Sequence, residues 1–336
     1  MVSLLLPLIY LSFISLGLPD GLLGAAWPSM YPGFGVEVSA SGIVFMIISV
    51  GTVISSLLSD RMTTRFGTAR VTTVSVALTA AALFGFSISG SFPLLCLWAI
   101  PYGLGAGGVD ASLNNYVALH YSSRHMSWLH CMWGVGASTG PYIMGWVLSG
   151  GQHWSGGYRI VGTLQILLTM VLFLSLGLWK NRQTEAETSE PVPLHRVFKI
   201  PGAREILVTF FCYCGLEQTA ALWASSYLTL SRGVDAETAA FFASLFFLGM
   251  TVGRVVSSVI MPFGSVLTLA VQAQPVKRAA VSASARVRLR ICFISLPPVR
   301  MLTGVVFRRT PGIIKEIFVT WKFFEFIDRL ISKYVV

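Results

Sequence analysis

Three carboxylates stand inside long apolar stretches of this 336-residue chain: Asp20 in GLPDGLLG, Asp110 in PYGLGAGGVDASLNNYV and Glu217 in CGLEQ. A charge in the middle of a bilayer is costly, so each such acid is a candidate functional group. The chemistry open to it is reversible protonation and hydrogen bonding. Desolvation disfavours the charged form of a carboxyl, and a proton carrier working near neutral pH requires that. Asp20 follows Pro19 among Gly17, Gly21 and Gly24, residues that weaken a helix, and broken helices with exposed backbone dipoles suit a ligand site. Asp110 has Asn114 one helical turn further on the same face. On these grounds Asp110 and Asp20 are proton-coupling candidates, and Asp20 and Glu217 candidates for holding a solute. The competing reading, in which each acid sits near an interface and is simply hydrated, stays open.

Several side chains could complete such a site. His130 and Trp133 are three residues apart in WLHCMWGVGASTGPYIMGW and therefore near one face of a helix. Trp27, Trp133 and Trp223 offer aromatic faces for the apolar side of a sugar, while His130, Asn114, Asn115 and Gln218 offer hydrogen bonds to hydroxyls. The alternative for the tryptophans is residence at the membrane interface, where they are enriched. Gly103-Leu-Gly105-Ala-Gly107-Gly108 lies inside a span of about 27 residues. A dinucleotide loop needs a strand before the glycines and a helix opening at them, so this run is a helix-packing face. No H-E-x-x-H, G-x-S-x-G or P-loop pattern occurs, so the chain is not expected to be an enzyme, and no cofactor is implied. Cys212-Tyr-Cys214 has no further Cys or His beside it in sequence to complete a metal site.

The elements that must position these residues are membrane helices. The chain is 54% hydrophobic and only 11% charged, against roughly 25% charged in a soluble domain, which excludes a soluble globule. It also excludes a disordered chain, and the apolar runs are too long and continuous for a porin-like barrel. The fold class is an all-α polytopic membrane protein. A spanning helix needs about 20 mostly apolar residues. Eight are expected, over 2–26, 40–59, 71–89, 93–119, 127–149, 158–179, 205–229 and 238–260. The connections alternate between a basic side (Arg61, Arg65, Arg70; Arg124; Lys180, Arg182, Arg196, Lys199, Arg204) and a nearly uncharged one. Basic residues stay on the cytoplasmic side, so the N-terminus is expected inside a cell membrane that the chain crosses several times.

The polar segment 180–204 divides the chain into a six-helix bundle, 1–179, and the first two helices of a second half, 205–260. The halves repeat. A shift of 198 residues places Phe13 on Phe211, Gly17 on Gly215, Leu18 on Leu216 and Gly51 on Gly249. With small gaps, Asp20 falls beside Glu217 and Trp27 beside Trp223. Two halves related by a parallel repeat about a central loop form the layout of the major facilitator fold.

On these residues the chain resembles a major facilitator superfamily transporter, most closely the fucose permease-like sugar:proton symporter branch, over residues 1 to about 256. LSDRMTTRFGTAR is similar to the family's cytoplasmic loop motif, with the usual Gly-Arg-Arg cluster loosened to Arg65-Phe-Gly67-Thr-Ala-Arg70, and GMTVGR, Gly249 to Arg254, to its degenerate copy. The resemblance implies a complete six-helix N-terminal half and an incomplete second half. It implies that acids in spans 1 and 4, here Asp20 and Asp110, serve proton coupling and sugar binding. It implies that Asp60, Arg61, Arg65, Arg70 and Arg254 act in gating. The expected function is proton symport of a small polar solute, a sugar, by alternating access, with protons, solute and lipid as partners, no nucleic acid, and a monomer as the oligomeric state. Gly136, Gly140 and Pro141 form a G-x-x-x-G-P face that packs closely and also resembles the span-5 signature of drug:proton antiporters, which keeps efflux open as the alternative.

The last stretch reads differently. Residues 261–336 hold 12 basic and three acidic side chains, a balance of +9, against +1 for the preceding 260. Arg286, Arg288, Arg290 and Arg300 flank a Pro-Pro and spoil any clean span. Residues 313–331 have the spacing of an interfacial amphipathic helix. The expectation is a frame change near residues 255–275 and a foreign tail. A basic tail for anionic lipid is the other reading. A chain truncated in this way would be a non-transporting membrane remnant.

Overall fold

In the computed structural model, residues 4–179, 198 and 203–272 are described, and they are helical nearly throughout. The first span is two helices, α1 (Leu5–Asp20) and α2 (Leu22–Phe34). They are followed by α3 (Ser41–Phe66), α4 (Thr68–Ser87), α5 (Phe92–His120), α6 (Ser123–Ser149), α7 (Ser155–Leu174) and the short α8 (Leu176–Trp179). Beyond the central segment come α9 (Ala203–Arg232) and α10 (Ala236–Gln272). All eight expected spans are present as helices. Six stretches, Leu5–Phe34, Val38–Phe66, Thr68–Ser87, Phe92–His120, Ser155–Leu174 and Ala236–Val255, are both long and apolar enough to cross a membrane. The expected loop 180–204 lies outside the described residues except at 198, 203 and 204, and so does the tail from 273 onward, including the 313–331 amphipathic stretch.

Two boundaries differ from the sequence expectation in ways that matter for the site. The first span continues to Phe34 instead of 26, so Asp20 lies near its middle, not near one end. It stops where Gly35 adopts the left-handed conformation (φ 65°) and Val36 N–H reaches the Tyr31 carbonyl, a helix-ending geometry that favours glycine. The Trp27 indole then donates to the Val38 carbonyl at 2.7 Å and fastens the turn. The last helix runs to Gln272 instead of 260, because SVIMPFGSVLTLAV continues the apolar pattern.

Close helix approach through small residues organises the bundle, as expected where lipid removes the hydrophobic drive between helices. Gly136 and Gly140 of α6 lie against the Ile14 and Leu18 carbonyls of α1, and Gly17 returns the contact against the Trp133 carbonyl; a Cβ at any of the three would overlap backbone. In α5, Gly103 and Gly107 face Ile48 and Thr52 of α3, whereas Gly105 and Gly108 face Ser75 and Thr79 of α4. The glycine run is thus a two-sided packing surface. The Thr52 hydroxyl adds a 3.2 Å bond to the Gly103 carbonyl. Helix α7 is tied to α1 by a buried reciprocal pair: Ser15 donates to Gln165 Oε1 at 2.7 Å, and Gln165 Nε2 to the Ser15 carbonyl at 2.6 Å. Helices α9 and α10 pack on this bundle through Gly24 of α2 against Ala221, and through Gly134 of α6 against Thr251. Ile43, Met46, Val50, Val53 and Leu57 leave the outer face of α3 apolar and exposed, as a face toward lipid requires.

Candidate functional site

The break between α1 and α2 presents Asp20. Pro19 cannot continue the helical ladder as an ordinary residue does, and Gly21 lets the chain pass Pro141 of α6 and Phe247 of α10 where a Cβ would collide. The Asp20 carboxylate accepts two hydrogen bonds from different helices: Tyr102 of α5 donates its hydroxyl to Oδ1 at 3.1 Å, and Trp133 of α6 donates Nε1–H to Oδ2 at 2.7 Å.

On the far side of the Trp133 ring stands Arg254 of α10, its Cζ 4.9 Å from the ring centroid, within cation–π range. Arg254 Nη2 donates to the Tyr213 hydroxyl at 2.9 Å and pairs with Glu217 Oε2 at 3.4 Å, both on α9. Its Nη1 lies 3.4 Å from the His130 carbonyl. Phe247 meets the Trp133 ring edge to face, 6.1 Å between centroids. Asp20, Trp133, Arg254 and Glu217 therefore form one continuous chain of polar and aromatic contacts from α1 through α6 to α10 and α9. The two acids that the repeat makes counterparts, Asp20 and Glu217, stand at its two ends.

A cavity of about 50 Å³ opens beside Asp20, bounded by Tyr102, Tyr158, Gln218, Phe86 and Leu222 among others. That is room for one or two waters, not for a sugar ring.

Of the residues singled out from the sequence, the structure brings Asp20, Trp133, Glu217, Gln218 and Arg254 together, with His130 at the border, its ring edge-on to Phe13. Arg254 stands at the end of the apolar stretch Ala236–Val255 of α10, and its guanidinium reaches Trp133, Tyr213 and Glu217. Asp110 is elsewhere. It sits about two helical turns along α5 from Tyr102, and its Oδ1 accepts from Asn114 Nδ2 at 2.9 Å. Asp20 and Asp110 make no hydrogen bond with each other. Asn115 is exposed, and Trp27 is fully buried in the middle of α2 against Phe92, its indole committed to the turn beyond the helix. Asp60 lies in the last two turns of α3; its carbonyl accepts from Thr63 and Thr64, and among the described residues its carboxylate pairs with none of the exposed Arg61, Arg65 and Arg70.

Tyr102 and Tyr213 escaped the sequence reading. Tyr213 carried a usable signal, since it precedes Glu217 by four residues and so shares its helix face. Tyr102 carried none, because its partner lies 82 residues away.

Residues 9–274 match the model of the Major Facilitator Superfamily, past the residue near 256 where the loop and repeat motifs stop. The chain is 24% identical over 268 residues to Bypass of stop codon protein 6 of Saccharomyces cerevisiae, covering 72% of this chain and 54% of that protein. It thus spans about half the length of that curated relative. A crystal structure of a D-xylose-proton symporter superposes with a TM-score of 0.60 at 13% identity, over 77% of this chain and 68% of the other. The nucleoside transporter NupG superposes at 0.55 and 12% identity, over 76% and 66%. The likeness to these two is one of fold. The chain belongs to the Major Facilitator Superfamily, and its family and apolar helices make it a multi-pass membrane protein.

Proposed function

We propose that this member of the superfamily serves proton-coupled movement of a small, neutral, hydroxylated solute, a sugar, across a cell membrane by alternating access. The observation that carries the reading is Asp20: a carboxylate in the middle of a broken first span, held by donors from two other helices beside a small, largely apolar cavity into which Tyr102, Tyr158 and Gln218 also open. Such an acid can accept a proton or a hydroxyl without the chain unfolding. Gln218 and Tyr158 supply further hydrogen-bonding groups at the same cavity. The one cation in this cluster, Arg254, already has Glu217 beside it, so the site offers no ready counter-charge to an anionic solute. The two solved relatives, described as transporters of xylose and of nucleosides, move neutral molecules bearing several hydroxyls, which supports the same class.

Because the cavity is too small for a sugar ring, loading requires α9 and α10 to move against α2 and α6, the rocking of one set of helices on another. Asp110, with Asn114, is the second proposed proton station. Asp60 and the arginines after it are proposed to latch α3 during that movement.

Purified protein in proteoliposomes tests the reading through uptake of labelled hexoses and pentoses with and without an inward proton gradient. Gradient-dependent accumulation is expected. Uptake indifferent to the gradient would remove the symport; gradient-driven extrusion of hydrophobic cations without sugar uptake would establish the efflux antiporter instead.

A further inference from the structure

We propose that Trp133 is a positioning residue that couples Asp20 to the Arg254–Glu217 pair, so that the state of a carboxylate in the α1–α2 break sets how firmly α10 is held. The inference goes beyond the transport reading and is tested without transport.

A carboxylate and a guanidinium brought to one level of a membrane protein are expected to pair directly, because each is costly alone. Asp20 and Arg254 do not. The indole of Trp133 touches both, giving its Nε1–H edge to Asp20 at 2.7 Å and its face to Arg254 at 4.9 Å. These contacts use different parts of one rigid plane. A cation is attracted by the ring face and not by its edge, so the Arg254 contact depends on how the ring is turned. The hydrogen bond to Asp20 fixes that turn, with Phe247 closing one side at 6.1 Å. A tryptophan is suited to this position because it joins a directional donor to a broad π face. Phenylalanine has only the face, and tyrosine would carry its donor at the far end of a different axis.

The connection crosses the protein at a place where small residues leave little slack. Gly17 and Gly136 press α1 onto α6 on both sides of the Trp133 turn, and Gly134 presses α6 onto Thr251, one turn from Arg254. A reorientation of the ring is therefore felt on both neighbours. The charged and titratable groups around the relay are Tyr102 on α5, His130 on α6, Tyr213 and Glu217 on α9 and Arg254 itself; Asp110 lies further along α5. Arg254 keeps Glu217 and Tyr213 when the ring turns. What changes is its stack on the indole, one of several contacts that join α10 to α6 and the one that depends on the ring's orientation.

The test is a triple-mutant cycle on thermal midpoints of the full chain in detergent, at one pH. Asp20→Asn, Arg254→Gln and the pair are compared, first with Trp133 and then on a Trp133→Phe background. With Trp133 present, the double variant is expected to lose less than the two single losses together, by about 2 °C or more. On the Trp133→Phe background the shortfall is expected to fall by at least half. Through-space attraction between the two charges is the same on both backgrounds, so it accounts for any shortfall that stays and not for the part that is lost. Additive losses with Trp133, or the same shortfall on both backgrounds, overturn the proposal. If Arg254→Gln yields no folded protein, Arg254→Lys replaces it in the same cycle: lysine keeps the charge for Glu217 but not the planar stack on the indole, and the same two outcomes decide.

Discussion

Asp20 and Asp110 are the same residue type in comparable apolar surroundings, yet they are held in opposite ways. Asp110 depends on its own helix: Asn114, one turn on, supplies the bond. Asp20 depends on three helices at once, with α1 broken at Gly21 to present the carboxylate, α5 supplying Tyr102 and α6 supplying Trp133. A locally held acid keeps its partner while neighbouring helices move. One held across helices reports on those movements, and its partners change when the bundle rocks. On the proposed function, that difference assigns Asp110 to carrying a proton and Asp20 to sensing what occupies the cavity.

The strongest way to break the comparison is to part α1 from α6. Gly140→Leu puts a side chain where the Leu18 carbonyl lies, and no rotamer escapes a backbone clash. We expect a loss of more than about 3 kcal/mol, or no folded protein. The measurement is the yield of monodisperse protein in detergent and its thermal midpoint. Gly33→Leu, where a Cβ meets nothing within 4 Å, is the matched control and is expected to leave both unchanged.

Exchanging each carboxyl for an amide sharpens it next. Asp110→Asn removes titration but leaves a hydrogen-bonding group opposite Asn114. Proton-driven accumulation is expected to vanish while exchange of solute across the membrane continues. Asp20→Asn sets an amide NH2 among donors and is expected to weaken solute binding about tenfold, or 1.4 kcal/mol. Equilibrium binding and counterflow on the two variants separate the outcomes. Normal accumulation by Asp110→Asn would make that acid a packing residue.

Removing single partners gives smaller effects. Tyr102→Phe takes one hydroxyl from Asp20 and is expected to cost about 1 kcal/mol in stability, whereas Asn114→Ala is expected to leave solute affinity at the Asp20 site unchanged. Thermal midpoints and binding isotherms on the two variants read this contrast.

The smallest effect lies outside the membrane. Asp235 caps α10 by accepting the Thr238 N–H at 2.8 Å, and its hydrogen bonds with Thr238 hold the carboxyl below the usual carboxylate range. A folded-state value below the unfolded one means that the contribution is present above the unfolded value and is lost as pH falls through the folded one. Asp235→Ala is expected to cost about 0.5 kcal/mol, near the low end for an exposed cap, with the difference from wild type shrinking as pH falls below 4. Midpoints across that pH range check it, and neither membrane acid should respond to the substitution.

Much of this was legible in one dimension. Long apolar runs must become helices in a bilayer, since only internal hydrogen bonding satisfies their backbone. The eight spans, the Asp110–Asn114 pair and the packing role of the glycines all follow from spacing along single helices. The sequence also marked Asp20, because an acid beside proline and glycines in an apolar run is costly wherever the helices go. It did not say what Asp20 would meet. Tyr102 and Trp133 come from positions 82 and 113 residues away, and their hydrogen bonds exist only because α1 crosses α6 backbone to backbone. Arg254 read as the end of a span, and the sequence did not say that its guanidinium would reach the Trp133 ring, 121 residues away. Trp27 and Trp133 carry equal weight as letters. Tertiary structure made one a fastener of the α2 turn and set the other between an acid and a cation, because a ring acquires its role from the groups that packing brings to its edge and its face.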